Sequence, residues 1–117
     1  AAPEDTLIQI TAHNRGPEPA ELHLLPTIWY RNTWVWGCRH EGCGDTKPRL
    51  WLAEPARILC EHPTLGRHAL DIGEGPGGRP EILFTENETH HERLWGTASS
   101  TRYVKDAFHR YLASGEK

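Results

Sequence analysis

Proline and glycine recur along most of this chain, and up to residue 80 the intervals between them are too short for a long helix. The 117 residues include 9 Pro and 11 Gly, concentrated at 14–19 and 73–80. Proline lacks the N–H that a helix interior needs, and glycine loses the most entropy on ordering, so such runs form turns. The segments between them are short and rich in β-branched and aromatic residues. This spacing predicts a mainly β chain, an antiparallel β-sandwich or part of a larger one, as a single domain over residues 1–117.

The alternation of apolar and polar residues places the expected strands. In the first of them, Ile8, Ile10 and Ala12 fall on one side and the polar residues between them on the other. We expect extended chain over 27–36 and an exposed loop over 73–80. The expected strands are 6–13, 21–25, 48–52, 56–61, 66–72 and 82–85.

The C-terminal segment is the one place where a helix is expected. Val104, Phe108, Tyr111 and Leu112 have helical spacing, and Asp106 is a candidate cap. Alternation about residue 110 fits a strand nearly as well, because short runs are ambiguous by periodicity. The chain is therefore expected to hold at most one short helix, near its C-terminus.

Charge and hydropathy exclude several classes of partner. With 13 basic and 16 acidic residues, the net charge is −3 and the pI is about 6.2, whereas nucleic-acid and membrane-surface binders rest on a basic field. No apolar run approaches the roughly 20 residues that span a bilayer, and residues 1–5 do not resemble a signal peptide. The odd cysteine count, three, fits a cytoplasmic chain. The sequence contains no Met, which indicates a processed chain or a piece of a longer one.

An aromatic cluster spans 29–36. In an extended chain, Tyr30, Asn32, Trp34 and Trp36 would share one face. Indole rings beside amide and guanidinium groups suit a sugar-binding surface, and they also suit a tryptophan-rich core whose edge is fixed by polar residues. Both interpretations stay open. The candidate binding residues here are Arg31, Asn32, Trp34 and Trp36.

A second polar cluster lies at 84–95. Glu86 and Glu88 would face the same way on a strand, as a general acid and base for glycoside cleavage must. The alternatives are a solvated loop or a hydrogen-bond network that fastens this segment to a neighbour. Residues 87–89 also match the N-glycosylation sequon. The candidate residues are Glu86, Asn87, Glu88 and Arg93.

Cysteine and histidine cluster in the glycine-rich loop after residue 37. Two cysteines and two histidines are a tetrahedral zinc set, but Cys38 and Cys43 are separated by four residues and Cys60 and His62 by one, at or outside the usual ligand spacing. A Cys38–Cys43 disulfide and ordinary reduced thiols are the alternatives. The weak metal candidates are Cys38, His40, Cys43 and Cys60, and we expect no cofactor.

Several strings resemble the N-terminal part of microbial glucosidase-like proteins related to glycoside hydrolase family 63, which includes processing mannosyl-oligosaccharide glucosidase. The strings are 14–17, 22–34, 83–89, 93–94, Gly96 and 104–109, and they span most of the chain from about residue 7 to 115; the middle, 48–80, carries no fixed pattern.

The resemblance implies an inverting hydrolase of α-linked gluco-oligosaccharides in which an N-terminal β-sandwich packs against an (α/α)6 barrel. The barrel carries the catalytic carboxylates, and nothing in this chain could form it, so no catalytic residue is assigned here. The chain is expected to be inactive alone, to brace that barrel as its partner in the same polypeptide, and to line its oligosaccharide cleft. Alternatives are a free-standing carbohydrate-binding module or a small zinc-stabilised interaction domain. Exposed sheet edges would also allow self-association.

Overall fold

A three-stranded antiparallel sheet is the centre of the regular structure. A computed structural model of the chain describes residues 3–37 and 46–116. After a 3-10 turn at Trp34–Trp36 come β1 (Arg49–Glu54), β2 (Arg57–His62) and β3 (Gly66–Asp71), followed by α1 (His91–Trp95) and α2 (Phe108–Ser114). The strands lie in the order β1-β2-β3. The three predicted strands in this region are therefore confirmed, as is the loop at 73–80, where the backbone forms only an isolated bridge between Gly75 and Gly78.

The connections of the sheet follow from local turn chemistry. Only Pro55 and Ala56 join β1 to β2, and the register shifts between Leu52 and Glu54. Between β2 and β3, the Nδ1 of His62 accepts hydrogen bonds from the N–H groups of Thr64 (3.2 Å) and Leu65 (3.3 Å). Gly66 then begins β3 with φ of +75°, a conformation that glycine adopts at no steric cost and that three-residue hairpins require.

The two faces of the sheet differ in what they bury. On the inner face, Leu50 pairs with Cys60 and Ile58 with Leu70. Ile58 is 6% exposed and Cys60 is 1% exposed. The outer face carries cross-strand ion pairs, Arg57 with Asp71 (2.6 Å) and Arg67 with Glu61 (3.0 Å), so it faces solvent.

Three of the predicted strands are not formed among the described residues. Residues 6–13, 21–25 and 82–85 have no regular secondary structure. A strand exists only where a neighbour supplies backbone partners, and none of the described residues does so for the first two segments. The extended stretch expected over 27–36 also ends early, because residues 34–36 form the 3-10 turn.

Two short helices replace the single one expected. Of the two alternatives for the C-terminus, the helix is correct, as α2. The second, α1, is one turn long and ends at Gly96, which has φ of +66° and donates its N–H to the carbonyl of Glu92 (3.0 Å). Asp106 is not a helix cap: the first residue before α2 is Ala107, and no side chain caps it. The architecture is an antiparallel sheet with two short helices, and a second sheet is not among the described elements.

Little apolar surface is covered. Among the described residues, the buried apolar side chains are Ile58, Cys60 and Val104. The radius of gyration is 17.1 Å, against about 13 Å for a compact chain of this length. Many large apolar side chains are exposed, with Leu7 at 90%, Ile8 at 74% and Leu22 at 65%. The sheet therefore has a small local core, and the rest of the chain lies open.

Shortening Ile58 tests this small core. Ile58→Ala should lower the free energy of unfolding by about 2 kcal/mol or more, because a buried side chain is removed and a cavity remains. Leu52 is the matched control, since it lies directly opposite Ile58 on β1 and is 48% exposed. Urea denaturation followed by tryptophan fluorescence measures both variants. An equal loss for Leu52→Ala would contradict the burial described here.

Candidate functional site

Two segments more than 50 residues apart meet beside β1. Asn32 and Trp34 contact residues 86–88, and Lys47 reaches the same place from the chain that leads into β1. We call the six residues that interact there the polar clamp. They are Asn32, Trp34, Lys47, Glu86, Asn87 and Glu88.

The carboxylate of Glu88 is the centre of the polar clamp. Its Oε1 accepts from the indole N–H of Trp34 (3.0 Å) and from the ammonium of Lys47 (3.3 Å), and its Oε2 lies 3.4 Å from the amide nitrogen of Asn32. Its side chain is 16% exposed. Burial alone would raise the pKa of this carboxyl, but the three donors outweigh it and lower the pKa below its usual value. Glu88 is therefore held in its ionised form.

Lys47 forms ion pairs with both acidic residues of the clamp. Its ammonium pairs with Glu86 as well as with Glu88 and lies 5.7 Å from the centre of the Trp34 ring. Partial burial would lower the pKa of Lys47, yet the two carboxylates raise it above its usual value. The cation is thus held in place by three groups from two segments.

Asn87 gives the segment its shape. Its φ is +54°, a left-handed conformation that asparagine tolerates better than other non-glycine residues. Its side-chain amide donates to the carbonyl of Tyr30 (2.7 Å), and in return Asn32 donates to the carbonyl of Asn87 (3.0 Å). The nitrogen of the sequon at 87–89 to which a glycan would be attached thus already donates one hydrogen bond within the chain.

A second contact ties the polar clamp to the C-terminal segment. The N–H of Glu86 donates to the carbonyl of Tyr103 (2.8 Å), and the N–H of Lys105 donates to the carbonyl of Glu88 (2.9 Å). Val104 lies between them and is 1% exposed. These bonds place residues 86–88 between the aromatic segment and α2.

Asp106 links the two helices. Its carboxylate lies 2.9 Å from the Nδ1 of His90 and 3.1 Å from Arg93. Burial would raise the pKa of Asp106, but the hydrogen bonds from His90 and Arg93 lower it overall. This tertiary contact explains why Asp106 does not cap α2.

The polar clamp brings together five of the residues singled out in the sequence: Asn32, Trp34, Glu86, Asn87 and Glu88. Arg93 lies in the neighbouring contact with Asp106. Arg31 is exposed beside the clamp. Trp36 belongs to the 3-10 turn, and its side chain is outside the described part of the structure. Sequence reasoning missed Lys47, because a lone lysine in a polar loop gives no sign of its tertiary partners.

The chemistry of the polar clamp favours a structural role, holding two segments together, over general acid–base catalysis. A general acid for glycoside cleavage needs a carboxyl whose pKa is raised so that it carries a proton. Glu88 has a lowered pKa, and Glu86 pairs with the same ammonium. Of the interpretations set out for this segment, the geometry favours the hydrogen-bond network.

The zinc interpretation gains no support from the described residues. Cys38, His40 and Cys43 lie outside them. Cys60 is a free, buried thiol, and burial raises its pKa. The Tyr30 ring lies 4.8 Å from the ring of His62. Within residues 3–37 and 46–116, no group of three His, Cys, Asp or Glu residues is arranged to hold a metal ion.

Comparison with known proteins finds one informative relative. The chain is 29% identical over 136 aligned positions to the uncharacterized protein YMR196W of Saccharomyces cerevisiae; the alignment covers 97% of this chain and 12% of the yeast protein. The chain thus spans about an eighth of the length of the curated relative it matches. No family model and no solved structure matches the sequence. None of the helices described is long and apolar enough to cross a membrane.

Removing the charge of Glu88 should weaken the polar clamp. Glu88→Gln keeps the shape but loses the ion pair with Lys47 and the charge-assisted bonds from Trp34 and Asn32, so the free energy of unfolding should fall by about 1–3 kcal/mol. Glu86→Gln is the matched control, because Glu86 is half-exposed and its ion pair should contribute less than about 1 kcal/mol. Urea denaturation compares the two. A larger loss for Glu86→Gln would contradict this account.

The pH dependence of stability follows from the same carboxyls. The folded-state pKa values of Glu88 and Asp106 are lowered, so their stabilisation is fully present above the unfolded values of about 4.3 and 3.9 and is lost as the pH falls through the folded ones. We expect the urea midpoint to drop between about pH 5 and pH 2. Glu88→Gln should flatten this drop, and an unchanged slope would show that Glu88 does not contribute to it.

Proposed function

We propose that this chain is the non-catalytic N-terminal region of a glycoside hydrolase related to family 63, and that it braces a catalytic barrel carried by the same polypeptide. The observation that carries the proposal is the exposure of large apolar side chains along residues 7–29, beside a core of so few buried residues. Exposed apolar patches of this extent mark surfaces that another body covers. The resemblance of the sequence strings supplies the identity of that body.

The polar clamp suits a bracing role. It joins the segment around Trp34 to residues 86–88 and, through Val104 and Asp106, to the two helices. Such a network holds surface segments in fixed relative positions without any chemistry of its own. Under this proposal the hydrolysis of α-glucosidic bonds belongs to carboxylates of the barrel, and the chain alone is inactive.

The finer fold prediction belongs to the same proposal. We propose that the sheet β1–β3 forms one layer of a β-sandwich that is completed within the longer polypeptide. The match to one eighth of a yeast protein supports a longer polypeptide. We also propose a cytoplasmic location, supported by the free, buried thiol of Cys60.

The alternative of a free-standing carbohydrate-binding module has less support. The N–H of Trp34 already donates to Glu88, so it is not available to a sugar hydroxyl. Trp29 is 61% exposed but is not one of the predicted binding residues, and four of those, Asn32, Trp34, Asn87 and Glu88, bond to one another. Calorimetry of the chain with gluco-oligosaccharides separates the proposals, since millimolar or tighter binding would favour the module.

Alanine substitutions at Trp34, Trp36 and Glu86 in the longer enzyme test the bracing role. We expect Trp34→Ala to reduce the fraction of enzyme that folds, while kcat and KM per folded molecule stay at wild-type values, because the clamp positions the region and does not touch substrate. Trp34→Phe is the matched control: it keeps an aromatic ring in place but removes the N–H that bonds to Glu88, so its effect should be smaller.

The same variants can contradict the proposal. A raised KM at wild-type stability would place these residues in the substrate cleft and contradict a purely bracing role. Wild-type rate and stability in all three alanine variants would contradict both bracing and cleft lining. The sequence downstream of residue 117 gives a further check. A long helical continuation with acidic residues is the expected result.

A further inference from the structure

The N-terminal arm, residues 6–25, has the side-chain pattern of a strand pair and none of its backbone bonding. In its first half, Ile8 and Ile10 alternate with Gln9 and Thr11. In its second half, Leu22 and Leu24 alternate with Glu21 and His23. A period of two gives one apolar and one polar face only in an extended chain, which is the pattern of a strand half-buried in an antiparallel sheet.

The turn between the two halves is already formed. The side chain of Asn14 accepts from the N–H of Gly16 (2.8 Å) and donates to the carbonyl of Glu18 (2.8 Å). Outside this turn, the backbone of the arm makes no backbone–backbone hydrogen bond to any other described residue. Apart from the carbonyl of Leu25, which accepts from the hydroxyl of Thr27 (3.0 Å), the arm therefore presents two rows of N–H and C=O groups that no described residue pairs.

The apolar side of the arm is also uncovered. Ile8 is 74% exposed and Ile10 is 53% exposed in the first half, and Leu22 and Leu24 are 65% and 54% exposed in the second. Burying these four side chains is favourable, because it removes apolar surface from water. An apolar face can be buried against another body only if the backbone beside it is hydrogen-bonded, because a buried unpaired N–H or C=O is costly.

We propose that the N-terminal arm adds as strands to the edge of an antiparallel sheet elsewhere in the same longer polypeptide, with Ile8, Ile10, Leu22 and Leu24 facing the core of that sheet. The yeast relative supports this occupant. Its alignment takes in 97% of this chain, so it includes the arm, and the relative continues over about eight times the length. The inference uses one part of the proposed function, that the chain belongs to a longer polypeptide. It does not depend on that polypeptide being a hydrolase.

Hydrogen exchange of the longer polypeptide tests the proposal. Backbone amides within 7–12 and 21–25 should exchange at least about 100-fold more slowly than in an unstructured peptide, because a strand added to an edge bonds its amides to the neighbouring strand. Exchange of all arm amides at the unstructured rate would overturn strand addition, even if the arm is packed by its side chains.

Two adjacent aspartate variants test which side of the arm faces the sheet. Ile10→Asp should abolish the protection of the first half of the arm, since it puts a charge into an apolar core. Thr11→Asp, one residue along and on the opposite face, should leave it unchanged. Equal effects of the two variants would overturn the proposed orientation. If Ile10→Asp does not fold, exchange of the wild-type protein and of Thr11→Asp still decides the question.

The occupant and the proposed function can each fail separately. Protection that appears only when the polypeptide dimerises at high concentration would assign the arm to a second copy and overturn this inference. A protected arm in a polypeptide without glycosidase activity would reject the proposed function and keep the inference. An active hydrolase whose arm amides are unprotected would support the proposed function and overturn the inference about the arm.

Discussion

The ionised carboxylate of Glu88 holds together the parts of this chain that are distant in sequence. Hydrogen bonds to a charged acceptor are stronger than neutral ones, and Glu88 collects them from an indole, an amide and an ammonium on two separate segments. Asn87 turns the backbone so that its own amide reaches the carbonyl of Tyr30, whose ring lies 4.8 Å from the ring of His62 at the end of β2. The polar clamp thus connects the aromatic segment to the sheet and to the helices.

The chain has two parts: the sheet with the clamped segments, which share a small apolar core, and the residues before Tyr30, which lie outside it. The sheet and the clamped segments make their own hydrogen bonds and bury Ile58, Cys60 and Val104. Residues before Tyr30 make few bonds beyond the turn at Asn14. Hydrophobic burial is the main favourable term in folding, so the open part can become ordered at a low cost only by covering its apolar face with something else.

The sequence predicts the strands and turns that depend on residues nearby in the chain. It does not predict the contacts that depend on residues distant in the chain. The strands β1–β3 are predictable because a two-residue turn at 55–56 and Gly66 fix their pairing locally. The strand pattern at 6–13 is just as regular, yet it produces no strand because its partner is not among the described residues. Asp106 is a residue type that often caps helices, but its carboxylate instead bonds to His90 and Arg93. In the site, the predicted residues Asn32, Trp34, Glu86 and Glu88 do lie together. The sequence gives no sign that Lys47 joins them.

The same carboxylate bears on where catalysis can and cannot reside under the proposed function. An inverting hydrolase needs one carboxyl that keeps its proton near neutral pH, which requires burial with few donors or a nearby negative charge. The ammonium of Lys47 pairs with both Glu88 and Glu86, so it offsets part of the repulsion between the two carboxylates. Converting this pair to an acid and a base would require removing Lys47, and that would also release the contact between the chain leading into β1 and residues 86–88. Holding the segments together and keeping a protonated acid are therefore incompatible demands at this position, and the polar clamp meets the first.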